Sequence, residues 1–160
     1  MISRQVVDQR NSLVADIIVT DEGGWPVAIV EVKNHPRLTA EIATSLRRSL
    51  LVHGMASPRV PYFLVVSQDT GFLWTQERQR DPDEPPTAAF PMEQVVSHYA
   101  RWLAPGERLI GGTLDYVVAD WLSDLSAGFG AQIPEATEPL KGSGFLESLN
   151  GATVAINVRE

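Results

Sequence analysis

A chain of 160 residues, 44% apolar and 21% charged, has the size and balance of one globular domain, and no run approaches the ~20 apolar residues of a bilayer-spanning helix. The absence of cysteine excludes disulfides and thiolate metal sites, so any metal must be held by oxygen or imidazole. The formal net charge of −7 opposes a nucleic-acid partner overall, but residues 1–80 hold nine cations against eight acids while residues 81–160 hold four against twelve.

Met1 is not followed by a basic segment and an apolar stretch of signal type, so a soluble, cytoplasmic protein without membrane contact is expected. Leu13–Thr20 and Trp25–Lys33 are rich in Val and Ile and bracket Asp21-Glu22-Gly23-Gly24, which predicts a β-hairpin with a four-residue loop. Leu38, Ile42, Leu46 and Leu50 then recur at spacing four, predicting an amphipathic helix from Leu38 to His53, closed by Gly54 and Pro58. Val60–Ser67 reads as a strand buried on both faces, and Gly71–Thr75 as a strand paired with it. Gln76–Pro91, with four prolines, reads as a loop. Helices are expected over Met92–Leu103 and Thr113–Ala127, irregular chain over 128–144, a short helix at Phe145–Leu149 and a strand at Ala152–Val158. This order predicts an α/β (α+β) fold, a central mixed sheet flanked by helices in one domain over residues 1–160. Its core spans about 12–75, and a helical and C-terminal extension covers 92–160.

Side chains alternate across a strand, so Glu31 and Lys33 leave the same face of theirs. If Asp21–Gly24 closes the hairpin, Thr20 lies opposite Trp25 and Asp16 opposite Ile29. Asp16 then shares the face of Glu31 as its diagonal neighbour, at roughly 7–8 Å. A slip of one residue would carry Asp16 to the other face. Two carboxylates so placed suit Mg²⁺ or Mn²⁺, hard cations that keep several waters and accept phosphate oxygens. Lys33 is placed to stabilise a developing oxyanion or to orient an attacking water. Charged side chains within Val-Ala-Ile-Val-Glu-Val-Lys are costly to desolvate, which argues for a use. The plainer reading of these three residues is a salt-bridge cluster on an edge hairpin.

Asp16, fourteen intervening residues, then Glu31-Val32-Lys33 at the end of an apolar strand resembles the PD-(D/E)xK, restriction-endonuclease-like nuclease superfamily. ADIIVTDEGGWPVAIVEVKN, EIATSLRRSLLVHG and PYFLVVSQDTGFLWT carry the likeness, within residues 12–75. The resemblance implies a restriction-endonuclease-like core, with Asp16 and Glu31 as ligands of a divalent metal, the Val32 carbonyl as a further ligand and Lys33 as the catalytic lysine. It implies hydrolysis of DNA phosphodiester bonds. Ala15 stands where the motif often has proline. The twelve residues before Leu13, with Asp8 their only acid, leave little room for the glutamate-bearing helix of many members. Ser45 stands near where many members carry an active-site glutamine, which makes Glu41 and Ser45 candidate accessory residues.

From Lys33 to Arg59 five cations face one internal acid, so Asn34, His35, Arg37, Arg47 and Arg48 are the candidate substrate contacts; the alternative is a solvated helix face. His35, His53 and His98 have no partner at metal-ligand spacing. Trp74, Trp102 and Trp121 read as core or dimer contacts, leaving a homodimer open. Gly142-Ser143-Gly144 lacks the strand and lysine of a nucleotide loop, and no Gly-x-Ser-x-Gly is present. The rival to an enzyme is an inactive nuclease-fold module that binds protein or nucleic acid.

Overall fold

The computed structural model describes residues 15–78, 81–129 and 132–157. Leu13, Val14, the segment before them and Val158 lie outside the described residues. Six strands, β1 (Ile17–Thr20), β2 (Pro26–Val32), β3 (Tyr62–Val66), β4 (Thr70–Trp74), β5 (Ala88–Pro91) and β6 (Thr153–Ile156), form one sheet in the order β5-β4-β3-β2-β1-β6. The helices are α1 (Ala40–Val52), α2 (Glu93–Tyr99), α3 (Thr113–Ser126), α4 (Pro134–Thr137) and α5 (Phe145–Ser148). The sheet is mixed: β2 and β3 run parallel, joined by α1 as a crossover, and every other neighbouring pair is antiparallel. Among the described residues no helix is long and apolar enough to cross a membrane.

Strand alternation gives the sheet two buried faces. Ile17, Val19, Ala28, Val30, Leu64, Val66 and Leu73 pack against α2, α3 and the short helices that follow. Ile29, Phe63, Val65, Phe72 and Trp74 pack on the opposite face, where α1 supplies Ala43 with Leu46 and Leu50 beside it. β2 and β3 are therefore covered on both sides, which explains their nearly continuous apolar sequence. On β4, Gly71 pairs with Phe90, whose ring would lie 2.2 Å from a Cβ at position 71. Only glycine leaves that ring its place.

Helix α1 begins at Thr39, whose hydroxyl accepts the Ile42 amide at 3.2 Å. Such a cap is worth about 1 kcal/mol. It ends in a Schellman motif: Gly54 at φ +70°, its amide on the Leu51 carbonyl, and the Met55 amide on the Leu50 carbonyl. The row expected to face the core is displaced by one position. Ala43 and Arg47 are the fully buried residues, while Ile42 is exposed. A methyl at 43 lets the helix approach the sheet closely, and the long Arg47 side chain reaches beneath it.

Other expectations are corrected in detail. Gln76–Pro91 is not all loop: after a 3₁₀ turn at Gln76–Arg78, Ala88–Pro91 forms β5, an edge strand where Pro91 is tolerated. Helix α2 stops at Tyr99 instead of Leu103, and 128–144 contains α4 with Pro134 in its first turn. Trp102 is exposed and so is no core residue, whereas Trp74 and Trp121 are buried.

The Tyr99 hydroxyl donates to the Asp124 carboxylate, linking α2 to α3. Burial, then this hydrogen bond and the charge of Asp124, push the phenol pKa above its ordinary 10.0. The folded protein favours the neutral phenol. Its contribution is thus complete below pH about 10 and is lost as pH rises through the raised folded value. Tyr99→Phe is expected to cost about 1 kcal/mol in urea unfolding at pH 8 and to weaken the stability loss on the alkaline side. An identical alkaline decline in the variant would assign that decline to other groups.

Candidate active site at the strand ends

The turn between β1 and β2 sets the site. Asp21 Oδ1 accepts the amides of Gly23 and Trp25, both at 2.9 Å, and the Asp21 amide donates to the Trp25 carbonyl. Trp25 is thereby held in the turn, and the strand starts at Pro26. Thr20 pairs with Pro26 instead of Trp25, and a bulge between Val19 and Thr20 shifts the register again, so Ile18, not Asp16, faces Ile29. Continuing one pair past Ile17–Val30 sets Asp16 directly opposite Glu31. Two shifts leave Asp16 on the face that a single shift would have removed it from.

Asp16 is half-buried, and its Oδ2 accepts the Val32 amide at 2.8 Å. The N–H and C=O of a strand residue leave on the same side, so the Val32 carbonyl also points toward the β1 side where Asp16 lies. Glu31 is only 2% exposed, and its Oε1 stands 3.0 Å from Lys33 Nζ, which belongs to a side chain 40% exposed. The Lys33 amide donates to the Val66 carbonyl, extending the β2–β3 pairing by one residue. Asp16, Glu31 and Lys33 thus gather at the carboxyl end of β2, beside that of its parallel neighbour. This is the edge where open α/β sheets hold ligands.

Other expected contacts are placed differently. Arg47 is 0% exposed; its guanidinium lies 5.3 Å from the Trp74 ring centre and donates to the Asp81 carbonyl at 3.1 Å. It cannot meet a phosphate chain without leaving the core. Arg48 is exposed but ion-paired with Asp83 at 2.9 Å. Glu41 and Ser45 lie on α1 and line a shallow apolar depression with Ile42 and Leu46. Arg37 is exposed, its amide bonded to His35 Nδ1 at 3.1 Å. With Arg47 buried and Arg48 neutralised, the stretch from Lys33 to Arg59 does not deliver five solvent-facing cations.

Asn34 is committed to a network that sequence reasoning missed. Its Nδ2 donates to the Leu109 carbonyl at 2.7 Å, and its Oδ1 accepts Arg108 Nη2 at 3.0 Å. Arg108 Nη1 also meets Asp69 Oδ2 at 2.7 Å. Buried Gln68 donates to the Glu107 carbonyl and accepts the Leu109 amide, both at 2.9 Å. Ser67–Thr70 is a tight turn, with the Ser67 hydroxyl bonded to the Thr70 carbonyl, and it delivers Gln68 and Asp69 to the end of β3. No local pattern marks Arg108. It reaches Asn34 from 74 positions away, and only the parallel pairing of β2 with β3 brings the network together.

The donor set fits a hard divalent cation in kind. Asp16 and Glu31 offer carboxylate oxygens and Val32 a carbonyl, and Mg²⁺ is commonly held by one or two carboxylates while it keeps several waters. Among the described residues no group of three or more His, Cys, Asp or Glu side chains is placed to hold a metal. Comparison with family models, curated proteins and solved structures finds no match.

Proposed function

We propose that this chain is a metal-dependent phosphodiesterase of nuclease type, acting on DNA through Asp16, Glu31 and Lys33 on a restriction-endonuclease-like core. The observation that carries the reading is Glu31: a carboxylate 2% exposed, against Lys33 at the end of a strand whose next residue, Val32, donates its amide to the Asp16 carboxylate. Burying a charge costs several kcal/mol even when it is paired, and an apolar side chain there would be less costly. The succession of hairpin, helix and parallel strand around this cluster supports the same reading.

Asp16 and Glu31 would hold Mg²⁺ or Mn²⁺, with the Val32 carbonyl beside them. The cation would supply charge neutralisation at the phosphate and lower the pKa of water there. The Val32 amide fixes the Asp16 carboxylate, and the β2–β3 pairing fixes the backbone of Glu31, so these groups would be oriented before any cation arrives. Lys33 balances Glu31 at rest. Its ammonium, open to solvent in part, is placed to turn toward a phosphate oxygen and stabilise charge that develops there.

Calorimetric titration of Mg²⁺ and Mn²⁺ into the wild type and Asp16→Ala tests this, with both proteins then assayed on plasmid and single-stranded DNA. Metal binding lost in the variant, with cleavage by the wild type alone, is the expected result. A second reading has its own support: Asp16 accepts the Val32 amide and Glu31 pairs with Lys33, as in a closed structural cluster. A folded wild type that takes up no metal and cleaves nothing would favour that reading, an inactive nuclease-fold module that binds protein or nucleic acid.

A further inference from the structure

We infer that Arg108 is a phosphate-binding residue of this same site, held in position by Asn34 and Asp69. The inference rests on the phosphodiesterase reading and adds to it a cation from outside the sequence stretch 33–59. A polyanionic substrate approaching a chain of net charge −7 needs local cations at the place of reaction. Lys33 faces Glu31, Arg47 is buried and Arg48 is paired with Asp83, while Arg37 and Arg59 are exposed on the α1 side of the chain without a place in the network at the strand ends.

Arg108 meets the requirement by construction. Its guanidinium bonds to the side chain of the residue directly after Lys33, so it stands at the same end of the sheet. Its position is fixed from several sides. Asn34 holds both the Arg108 side chain and the Leu109 carbonyl, and Gln68 clamps the backbone on either side through Glu107 and Leu109. Yet the side chain remains 37% exposed and faces its partner Asp69, itself 40% exposed, across an ion pair open to water. An exposed pair of this kind contributes little to stability, so a backbone so firmly stitched is out of proportion to the pair it presents. A planar fork held by its neighbours while part of it faces solvent suits two-point recognition of a phosphate.

The local charge balance fits as well. Asp16, Glu31 and Asp69 set three carboxylates against Lys33 and Arg108. The cluster repels phosphate until a divalent cation reverses the balance, which makes DNA binding dependent on the metal. Arg108 also lines a groove of 590 Å³ between α2 and the segment 103–108, where Asp69, Glu93 and Glu107 stand against Arg108 and Arg101.

The test is binding of a short DNA duplex by the wild type, Arg108→Gln and Arg108→Lys, measured over a fourfold range of salt. Ca²⁺ replaces Mg²⁺ in the binding measurement, cleavage is assayed separately in Mg²⁺, and thermal melts verify folding. The expected result is roughly tenfold weaker binding by Arg108→Gln at low salt. Loss of one phosphate contact lowers the salt slope by about 0.9, so the gap to the wild type narrows roughly three- to fourfold across the range. Arg108→Lys should restore the slope but only part of the affinity, since a point charge replaces a fork. Unchanged affinity and slope in a folded Arg108→Gln, with the wild type cleaving, would overturn the role of Arg108 and leave the phosphodiesterase reading intact. A wild type that neither binds nor cleaves overturns both.

Discussion

Glu31→Gln is expected to abolish metal-dependent cleavage while leaving the protein as stable as the wild type or slightly more so. The two effects have separate causes. Glutamine keeps the shape of the buried side chain but loses the negative charge that would hold a cation. On the proposed reading, the catalytic loss would follow from the several kcal/mol that a metal contributes at a phosphoryl centre. At about 1.36 kcal/mol per factor of ten, a fall in rate of roughly a thousandfold or more is the expected scale. The stability term has the opposite sign because Glu31 is 2% exposed, so its charge is desolvated, while the Lys33 ammonium beside it remains partly hydrated. Lys33 needs no partner in water, so removing the buried charge relieves roughly 1 kcal/mol. Rates on plasmid DNA and urea unfolding of the same preparations decide it. A residue whose replacement ends activity and raises stability is one retained for function. A marked destabilisation, in a protein whose wild type is inert, would instead make the Glu31–Lys33 pair part of the scaffold.

The parts of this architecture that are legible in sequence share one property: they are specified locally. The Val- and Ile-rich hairpin, the spacing of Leu46 and Leu50, and the strand at Tyr62–Val66 announce themselves through periodicity, and their bounds fall within a few residues of expectation. What stays hidden is set by longer reach or by a single side chain. Asp21 accepts the Trp25 amide and so moves the start of β2 by one residue, and only the bulge between Val19 and Thr20 returns Asp16 to the face of Glu31. Four prolines hide β5, although only Pro91 lies in the strand itself, where an edge position tolerates it. Arg108 joins the strand ends only through Asn34 and Asp69, contacts that no pattern within its own segment encodes. Arg47 escapes for a different reason: a basic residue on an amphipathic helix is assigned to water, and nothing nearby signals the aromatic slot that accepts it.

Arg47→Ala is accordingly expected to act on stability and not on DNA. The guanidinium lies 5.3 Å from the centre of Trp74 and 6.0 Å from that of Phe63, and it donates to the carbonyls of Asp81 and Pro82. Burial pushes its pKa down while Asp81 and Glu84 pull it back up, so the charge is sustained by the loop it holds. The Trp74 indole N–H donates to the Glu84 carbonyl at 2.8 Å, which ties the same loop a second time. Truncation to alanine removes the contacts with both rings, opens a cavity under α1 and strands the loop carbonyls. These losses together are worth about 3 kcal/mol, or a fall of roughly 6–12 °C in Tm for a chain of this size. Arg47→Met, which refills the slot without a charge, should recover most of that, leaving about 1 kcal/mol for the lost carbonyl bonds. DNA affinity should be equal in wild type and Arg47→Met, since the side chain is 0% exposed and its donors point into the chain itself. A folded Arg47→Met with weakened DNA binding would mean that α1 lifts from the sheet when substrate arrives, because no smaller motion brings this guanidinium to a phosphate.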